Sequence, residues 1–450
     1  MKKIFITLAA MLGTMTAFAG GLVTNTNMSV AYLRSAAREG AIDIDGIYFN
    51  PAGTAFLANG IHASVGIQTA IQERNTETTY APFALNNAYS GESTRFYKGK
   101  AFAPVIPMIR LAYNWDRWNL QAAFNVVGGG GKCKFNNGLG MFEQSLATGA
   151  YKTQLGYGLP DGAATYSLNA QLTGESYQFG LYLGTSYEII KEHLAISLGI
   201  QGVYAYNRYT GGMTDMTVYV GGNPAATVPD VTISATQKGF GATPIIGIDY
   251  RLNEKFNISA RWQFQTYVKM KTTADNSDAA KANESLAYFQ DGVKFRSDIP
   301  GYLMTGLMYS PVTPLRLMAS YRYFDEKHAK RETTGGLNKK NPGTHEACFG
   351  LEWDICKYLT FSCGYQSGFY NMSAEEMSEM DFQLNSYSVL GGFRININEH
   401  WNIDLGYMHS FYDKRTVTSQ VPLTETASLP YTVKYSRKND VVGIAVNLRY

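Results

Sequence analysis

Apolar and polar residues alternate along many segments of this chain, and that alternation restricts its fold more than any other feature. Successive side chains of a β-strand point to opposite faces, so each such segment predicts a strand with one apolar face. One segment places its apolar residues at Trp118, Leu120, Ala122, Phe124 and Val126. The same pattern recurs at 61–72, 177–183, 194–200, 256–264 and 401–407. The chain is therefore predicted to be an all-β protein.

Short and long connections alternate between these segments. Short turns lie at 114–117, 190–193, 251–255, 311–314, 354–357 and 398–400. Long polar connections lie at 73–102, 129–174, 208–236, 271–295, 326–343, 367–383 and 411–432. A soluble β-sandwich or propeller also shows alternation, but connections this long are uncommon in compact soluble domains. The asymmetry favours a transmembrane antiparallel β-barrel of about 14 strands, with tight periplasmic turns and long external loops.

The composition agrees with a barrel. The mean hydropathy is only −0.18, as expected when alternate residues face lipid and lumen. The 32 tyrosines suit aromatic girdles at the two membrane interfaces. The last strand carries apolar residues at alternate positions and ends on Tyr450. That ending resembles the C-terminal signature recognised by the barrel-assembly machinery, an expected partner during biogenesis.

The first residues predict a signal peptide at 1–19. Lys2 and Lys3 precede an apolar stretch, and Ala17-Phe18-Ala19 fits the small-residue cleavage rule. The alternative is an N-terminal membrane anchor, but the stretch is shorter than the ~20 residues that a spanning helix needs. Removing the two lysines lowers the net charge of +3 by two, and the resulting balance favours no nucleic-acid partner.

Residues 20–58 lack the alternation and predict a plug folded into the barrel lumen, with the transmembrane barrel at 59–450. The alternative is a disordered periplasmic tail. The segment contains apolar residues such as Leu33, Ile47 and Phe49, in which disordered tails are usually poor.

No catalytic motif is present in the sequence. The run Gly128, Gly129, Gly130, Gly131 followed by Lys132 fails as a phosphate-binding loop because Cys133 stands where Ser or Thr is needed. The four cysteines lack zinc spacing and are expected to be ordinary barrel residues, although one loop disulfide is an alternative. We expect no enzyme activity, cofactor or metal. The glycine run predicts a bend or bulge in a strand, or a flexible start to a loop.

The segment from Glu39 to Gly53, which contains Asn50, Pro51 and Ala52, resembles the plug motif of the FadL/TodX family of outer-membrane transport proteins. Its position between a signal peptide and the first barrel strand strengthens that resemblance. Residues 103–107 resemble the start of the family's second strand. The resemblance implies an outer-membrane transporter of hydrophobic small molecules in a Gram-negative bacterium, with long-chain fatty acids as the leading cargo.

The resemblance also implies roles for particular residues. The glycines at 128–131 correspond to a third-strand kink that opens the barrel wall sideways. An apolar ligand surface is expected on the external loops, at Phe142, Leu146 and Tyr151. A carboxylate head group is expected to meet cations from Arg208, Lys330 and Arg331. Ligand binding would shift the plug, whose far end is held by Asn50, Pro51 and Ala52.

Several alternatives stay open from the sequence. The cargo is equally compatible with aromatic hydrocarbons or a porphyrin. A general porin would have no plug, and an adhesin or receptor would use its external loops. We expect outer-membrane lipid and lipopolysaccharide around the barrel, and a monomer, since a barrel with its own plug needs no partner to close it.

Overall fold

The computed structural model describes residues 18–19, 28–89, 91–332 and 342–450, and within them fourteen antiparallel strands form a closed barrel. The strands are β1 (Gly60–Tyr80), β2 (Thr94–Trp115), β3 (Trp118–Phe135), β4 (Ala164–Ile190), β5 (Leu194–Val220), β6 (Val231–Asn253), β7 (Phe256–Gln263 and Lys269–Ala274), β8 (Lys294–Arg296 and Tyr302–Val312), β9 (Leu315–Phe324), β10 (Thr344–Cys356), β11 (Leu359–Phe369), β12 (Ser386–Asn396), β13 (Trp401–Tyr412 and Arg415–Pro422) and β14 (Ser428–Arg449). Consecutive strands pair, and β14 pairs with β1 to close the ring. The predicted barrel of about 14 strands is confirmed.

The barrel wall is apolar outside and polar inside. On β3, Trp118 and Leu120 are exposed, whereas Asn119 and Gln121 are buried. A soluble β-protein shows the opposite arrangement, with its apolar face covered. Exposed apolar rows around a polar interior are the arrangement of a barrel whose outer face meets lipid.

The strands differ greatly in length. β4 and β5 have 27 residues each, whereas β9 has 10 and β11 has 11. About 9–11 residues suffice to cross a bilayer. The longer strands therefore continue well past the membrane at the end that carries the long connections, here called the long-loop end. The opposite end, with the tight turns, is called the short-turn end.

The strand extensions correct the predicted loops. The connections expected at 129–174 and 208–236 shrink to 136–163 and 221–230, because β3 to β6 continue into them. Past the lipid the outer face meets water, so its residues become polar and the hydropathy pattern disappears. Lys132 and Glu175, for example, form an ion pair of 2.6 Å between β3 and β4. Residues 103–107 likewise lie in the middle of β2, not at its start.

Residues 28–58 fold inside the barrel, which confirms the predicted lumenal plug for this part of the chain. They form helices α1 (Val30–Arg34) and α2 (Gly46–Phe49) and a 3-10 turn at Gly53–Phe56. Helix α1 begins after Ser29, whose hydroxyl accepts a hydrogen bond from the backbone N–H of Tyr32 at 2.8 Å. Residues 1–17 and 20–27 lie outside the described residues, so the cleavage site stays a prediction. Phe18–Ala19 pairs in parallel with a two-residue strand, Asp381–Phe382.

Three glycines of the wall form a seat for α1, here called the glycine seat. Gly392, Gly406 and Gly443 are aligned in register across β12, β13 and β14. A Cβ placed on Gly406 would lie 2.6 Å from the Cβ of Leu33. Glycine inside a strand often marks a close approach of other atoms, and here it lets α1 lie directly on the wall.

Buried and half-buried ion pairs join the plug to the wall at the short-turn side of the lumen. The Nη1 atom of Arg38 lies 2.9 Å from Glu352 of β10, and Arg34 pairs with Asp404 of β13 at 2.9 Å. Asp43 pairs with Arg394 of β12 at 2.8 Å. An unpaired buried charge is costly. Each charged plug residue and its partner on the wall therefore hold each other in position.

The long-loop end is filled by a helix and an apolar core. Helix α3 (Gly140–Gly156) lies between the extended strands. Shorter helical segments are α4 (Asp278–Lys281) and the 3-10 turns Ala81–Leu85, Glu284–Phe289, Glu326–His328 and Ala374–Glu376. A hairpin strand, Asn223–Val228, pairs with β5. Among the described residues, the helices are all too short or too polar to cross a membrane.

Candidate functional site: a lumenal route with an arginine pair

The predicted apolar loop residues lie together but are covered. Phe142 and Leu146 on α3 are each 1% exposed, and Tyr151 packs against the same apolar core. They stabilise the position of α3 between the strand extensions. The structure therefore places them in a packed interior and not on an open groove.

The three predicted cations do not converge. Arg208 on β5 is exposed on the outer face of the barrel, because the inward positions of that strand are Asn207 and Tyr209. Lys330 pairs with Glu332 at 2.7 Å. Arg331 is buried and pairs with Glu326 at 2.6 Å. None of the three thus brings its charge to a common lumenal pocket.

An apolar pocket of about 420 Å³ opens beside α3 at the long-loop end. We call it the outer pocket. Its apolar lining comes from α3, the connection between β11 and β12, and strands β13 and β14. The residues are Met141, Ala374, Met377, Val417, Tyr431, Val433 and Tyr435. Its volume falls in the range of small-molecule sites, and its walls are mainly aliphatic, thioether and aromatic.

One buried carboxyl group lies at the outer pocket. Glu379 is 3% exposed and accepts hydrogen bonds from the hydroxyls of Thr78 (2.6 Å) and Tyr431 (2.8 Å) and from the backbone N–H of Met141 (2.7 Å). Burial raises the pKa of this carboxyl, and the hydrogen bonds oppose that shift. Glu379 joins the β11–β12 connection to the start of α3.

The structure brings together two arginines that sequence reasoning missed. Arg74 on β1 and Arg437 on β14 are register partners at the closure of the barrel. Arg74 is 3% exposed, and the buried Nε of Arg437 has no hydrogen-bond partner among the described residues. Asp381 is the carboxylate whose charge acts on Arg74. Two guanidinium groups with donors to spare make this pair suited to an incoming anion.

Aromatic rings connect the outer pocket to the arginine pair. The ring of Phe382 lies 4.8 Å from that of Tyr435, which lines the pocket. The guanidinium carbon of Arg74 lies 4.4 Å from the same Phe382 ring. Arg437 stacks over Tyr412 at 4.7 Å. On β14 the inward row runs Tyr431, Val433, Tyr435, Arg437, so the pocket and the pair are consecutive on one strand.

The barrel wall is interrupted beside the arginine pair. The β2–β3 ladder is paired at Ala101↔Cys133 and resumes only at Met108↔Asn125, so the intervening residues of these two described strands do not pair with each other. Pro104 and Pro107 lie in the unpaired part of β2 and have no N–H to donate. Arg74 is paired with Gly99, two residues before Ala101, the last paired residue ahead of the interruption.

The glycine run lies in the opposite edge of this interruption. Gly128 pairs with Gln178 and Gly131 with Ser176, so the run forms a bulge against β4. Gly129 and Gly131 have φ values of +104° and +69°, which side chains rarely permit. The glycines therefore form a bulged strand segment and not the start of a loop.

The plug motif is held at the short-turn side. The side-chain amide of Asn50 donates to Asp249 of β6 and its carbonyl accepts from the N–H of Gly53 at 3.1 Å. The carbonyl of Pro51 accepts from Gln121 of β3 at 3.0 Å. Ala52 is fully buried. The motif thus fixes the end of the plug to both β3 and β6.

The four cysteines lie in the wall and are unpaired. Cys133 is on β3, Cys348 and Cys356 are on β10 and Cys363 is on β11. Among the described residues no cluster of metal-binding side chains is found.

Comparisons with known proteins find no matching protein-family model and no matching curated protein. Solved structures do match over almost the whole chain. A FadL homologue of Pseudomonas aeruginosa has a TM-score of 0.65 at 12% identity, covering 97% of this chain and 99% of that one. The toluene transporter TbuX of Ralstonia pickettii has 0.55 at 12% identity, covering 99% and 100%. The toluene transporter TodX of P. putida has 0.54 at 13%, covering 98% and 100%. This chain therefore has the barrel fold of the FadL homologue, TbuX and TodX.

Proposed function

We propose that this protein takes up hydrophobic small molecules across the outer membrane of a Gram-negative bacterium, with long-chain fatty acids as the leading cargo. The observation that carries the proposal is the continuous row from the outer pocket to the arginine pair. An apolar chain fits the pocket, and a carboxylate fits the two guanidinium groups at its inner end. The solved structures with this fold include proteins described as a FadL homologue and as toluene transporters.

In this proposal the cargo leaves sideways through the β2–β3 interruption. Below the arginine pair the lumen is filled by the plug and its ion pairs, among them Arg38 with Glu352. An apolar molecule has no favourable contacts in such a charged interior. The interruption lies next to the pair, and Phe102 and Val105 on its outer face are exposed apolar residues. Lateral exit there avoids the blocked lumen. The long-loop end is then external and the short-turn end periplasmic.

The domain organisation is part of the same proposal. Residues 1–19 act as a cleaved signal peptide, 20–58 as the plug and 59–450 as the barrel. The barrel-assembly machinery inserts the chain, lipid and lipopolysaccharide surround it, and it functions as a monomer without a cofactor.

The test measures fatty acid binding to the protein with both arginines changed, Arg74→Gln and Arg437→Gln. Charge-assisted hydrogen bonds contribute about 1.5–3 kcal/mol, so the dissociation constant should rise about 10- to 100-fold. Arg208→Gln is the matched control, because that guanidinium lies on the outer face, and it should bind as tightly as the unchanged protein. Equal binding by all three proteins would overturn the carboxylate assignment.

Uncharged apolar cargo is the second candidate. The charged side chains that line the outer pocket are the carboxyls of Glu375 and Glu379. They attract no anion and leave the apolar lining open to a neutral aromatic hydrocarbon. A porphyrin, with its carboxylates, would again use the arginines. Binding of toluene that is unaffected by the two arginine changes would favour the uncharged cargo. If no apolar ligand binds, an adhesin or receptor role for the external end replaces transport, whereas open passage of small polar solutes would indicate a porin.

A further inference from the structure

A second pocket, of about 540 Å³, lies at the long-loop end and differs in chemistry from the outer pocket. We call it the polar pocket. It lies among β4, β5, β6, the start of α3 and the segment before Tyr89. Its polar side chains are carboxamides and hydroxyls, principally Asn136, Asn137, Asn169, Gln171, Thr214 and Thr232.

The polar pocket is unsuited to both ions and apolar cargo. No lysine or arginine is among the described residues that line it, so an anion finds no counter-charge. Its one carboxylate, Glu143, already accepts hydrogen bonds from Asn86, Tyr97 and Tyr166, each at 2.7 Å. An apolar molecule would displace the water that hydrogen-bonds to the carboxamides and would offer them no hydrogen bonds in exchange.

The carboxamides are available for a ligand. The side chains of Asn136, Asn137 and Gln171 make no hydrogen bond to other described residues and are exposed. A carboxamide both donates and accepts, so a group of them matches hydroxyls that also do both. Asn169 is less free, because its amide donates to Asp215 at 2.7 Å.

A tyrosine ring at the rim supplies an apolar surface. Tyr89 is 38% exposed, and the guanidinium carbon of Arg95 lies 3.9 Å from its ring centroid. This cation–π contact limits the orientations of the ring without placing the charge in the lining. Leu168 and Ala170 add further apolar patches. Hydroxyl partners beside flat apolar surfaces match the two faces of a sugar ring.

We infer that the polar pocket is a binding site for a neutral saccharide, independent of the apolar route. The volume suits a ligand of two or three sugar units, within the roughly 300–1,000 Å³ of small-molecule sites. The saccharide comes either from lipopolysaccharide in the same membrane or from a free glycan outside the cell, and both present the same hydroxyl chemistry.

The test is titration calorimetry on the full-length barrel in a zwitterionic detergent without a sugar head group, since a glycoside detergent would compete. The probes are maltotriose, cellotriose, N-acetylchitotriose and the O-polysaccharide released from lipopolysaccharide. At least one should bind, and Asn137→Ala with Gln171→Ala should weaken that binding at least ~10-fold. Binding of the O-polysaccharide alone assigns the site to lipopolysaccharide, and binding of a trisaccharide alone assigns it to free glycans.

Two controls separate this inference from the proposed transport. Asn223→Ala changes an exposed carboxamide far from the lining and should leave saccharide binding unchanged. Arg74→Gln with Arg437→Gln should also leave it unchanged, while weakening fatty acid binding. The inference is overturned if all four probes fail to bind at millimolar concentration, or if the Asn137 and Gln171 changes have no effect on a probe that does bind.

Discussion

At the scale of single residues, the missing side chain of Gly406 decides how closely the plug approaches the wall. Leu33 of α1 occupies the space that any larger residue would need. Gly392 and Gly443 extend the same gap to the neighbouring strands. A glycine inside a strand weakens it by roughly 0.5–1 kcal/mol relative to alanine, so contact with α1 offsets a cost that these strands would otherwise carry.

Changing Gly406→Val should therefore loosen the plug. The added atoms collide with Leu33, and overpacking of this kind typically costs about 1–3 kcal/mol. The measurement is the rate of protease cleavage within residues 28–58 of the folded barrel, which should rise. Gly202→Val is the control, because a Cβ there has no neighbour closer than 3.9 Å. Equal cleavage rates in both variants would show that the glycine seat does not hold α1.

Contiguous functional residues are predictable from this sequence, whereas residues brought together by strand pairing are not. Asn50, Pro51 and Ala52 were found because they form a contiguous motif. Arg74 and Arg437 were missed because they belong to the first and last strands and meet only when β1 and β14 pair. The one sequence feature that could have found Arg437 is its place in the inward row after Tyr431, Val433 and Tyr435.

At the scale of elements, the interruption between β2 and β3 is where the route through the wall is proposed. A Cβ on Gly131 would lie 3.7 Å from the Cβ of Ala103, close to the mean separation of about 3.8 Å in disulfides. The two strands thus approach each other here without a backbone ladder.

A disulfide across this interruption should stop transport without stopping binding. The variant carries Ala103→Cys and Gly131→Cys, with Cys133→Ala to prevent mispairing. Because Gly131 has a φ of +69°, the reduced variant must bind ligand as tightly as the unchanged protein before the disulfide is formed. Under oxidising conditions fatty acid uptake should fall to the level of cells that lack the protein, while the purified barrel still binds its ligand. Reduction should restore uptake and serves as the matched control. Unchanged uptake with a formed disulfide would exclude exit at this position.

The connection between β11 and β12 should respond to pH through Glu379. Burial raises the pKa of this carboxyl in the folded protein. The stabilisation that Glu379 gives to the docked β11–β12 connection is therefore complete below the unfolded pKa of about 4.3, and it is lost as the pH rises through the folded pKa. Amide exchange in residues 370–385, corrected for intrinsic rates, should therefore increase with pH over that window. Glu379→Gln should remove the dependence, and an unchanged profile in that variant would contradict it.

The strands are predictable from the sequence where their outer face meets lipid, because apolar and polar residues alternate there. The strand segments around Trp118 and Leu120 were found because their outer face is apolar. The sequence pattern predicts loops for the extensions of β3 to β6, because their outward residues, such as Glu175 and Arg208, are polar and face water. The inward residues of these extensions, such as Tyr209, pack in the core. The polar pocket lies among the extensions of β4 to β6 and the start of α3, whereas the outer pocket lies between α3, the β11–β12 connection, β13 and β14. Each pocket joins segments distant in the chain, which local pattern does not encode.

At the scale of the whole molecule, buried ion pairs make the plug and barrel one structure. The single carboxylate of Glu352 pairs with three arginines, Arg34, Arg38 and Arg316. Its change to glutamine leaves these guanidinium groups short of one negative charge, and breaking a buried pair typically costs about 3–5 kcal/mol. The midpoint of urea unfolding in detergent should fall accordingly. Glu77→Gln, at an exposed pair with Lys434, is the control, and an equal midpoint in both would contradict the role of the network.

The glycine seat has a consequence for how the molecule is made. Helix α1 precedes every barrel strand in the chain, yet its seat belongs to β12, β13 and β14, which are synthesised last. The helix thus has no place to dock until the final hairpins are present, and contacts of such large sequence separation form slowly. Docking of α1 and closure of the barrel between β14 and β1 should therefore occur together. A chain truncated before β14 would lack the strand that closes the barrel against β1. It would also lack Gly443, and so part of the glycine seat.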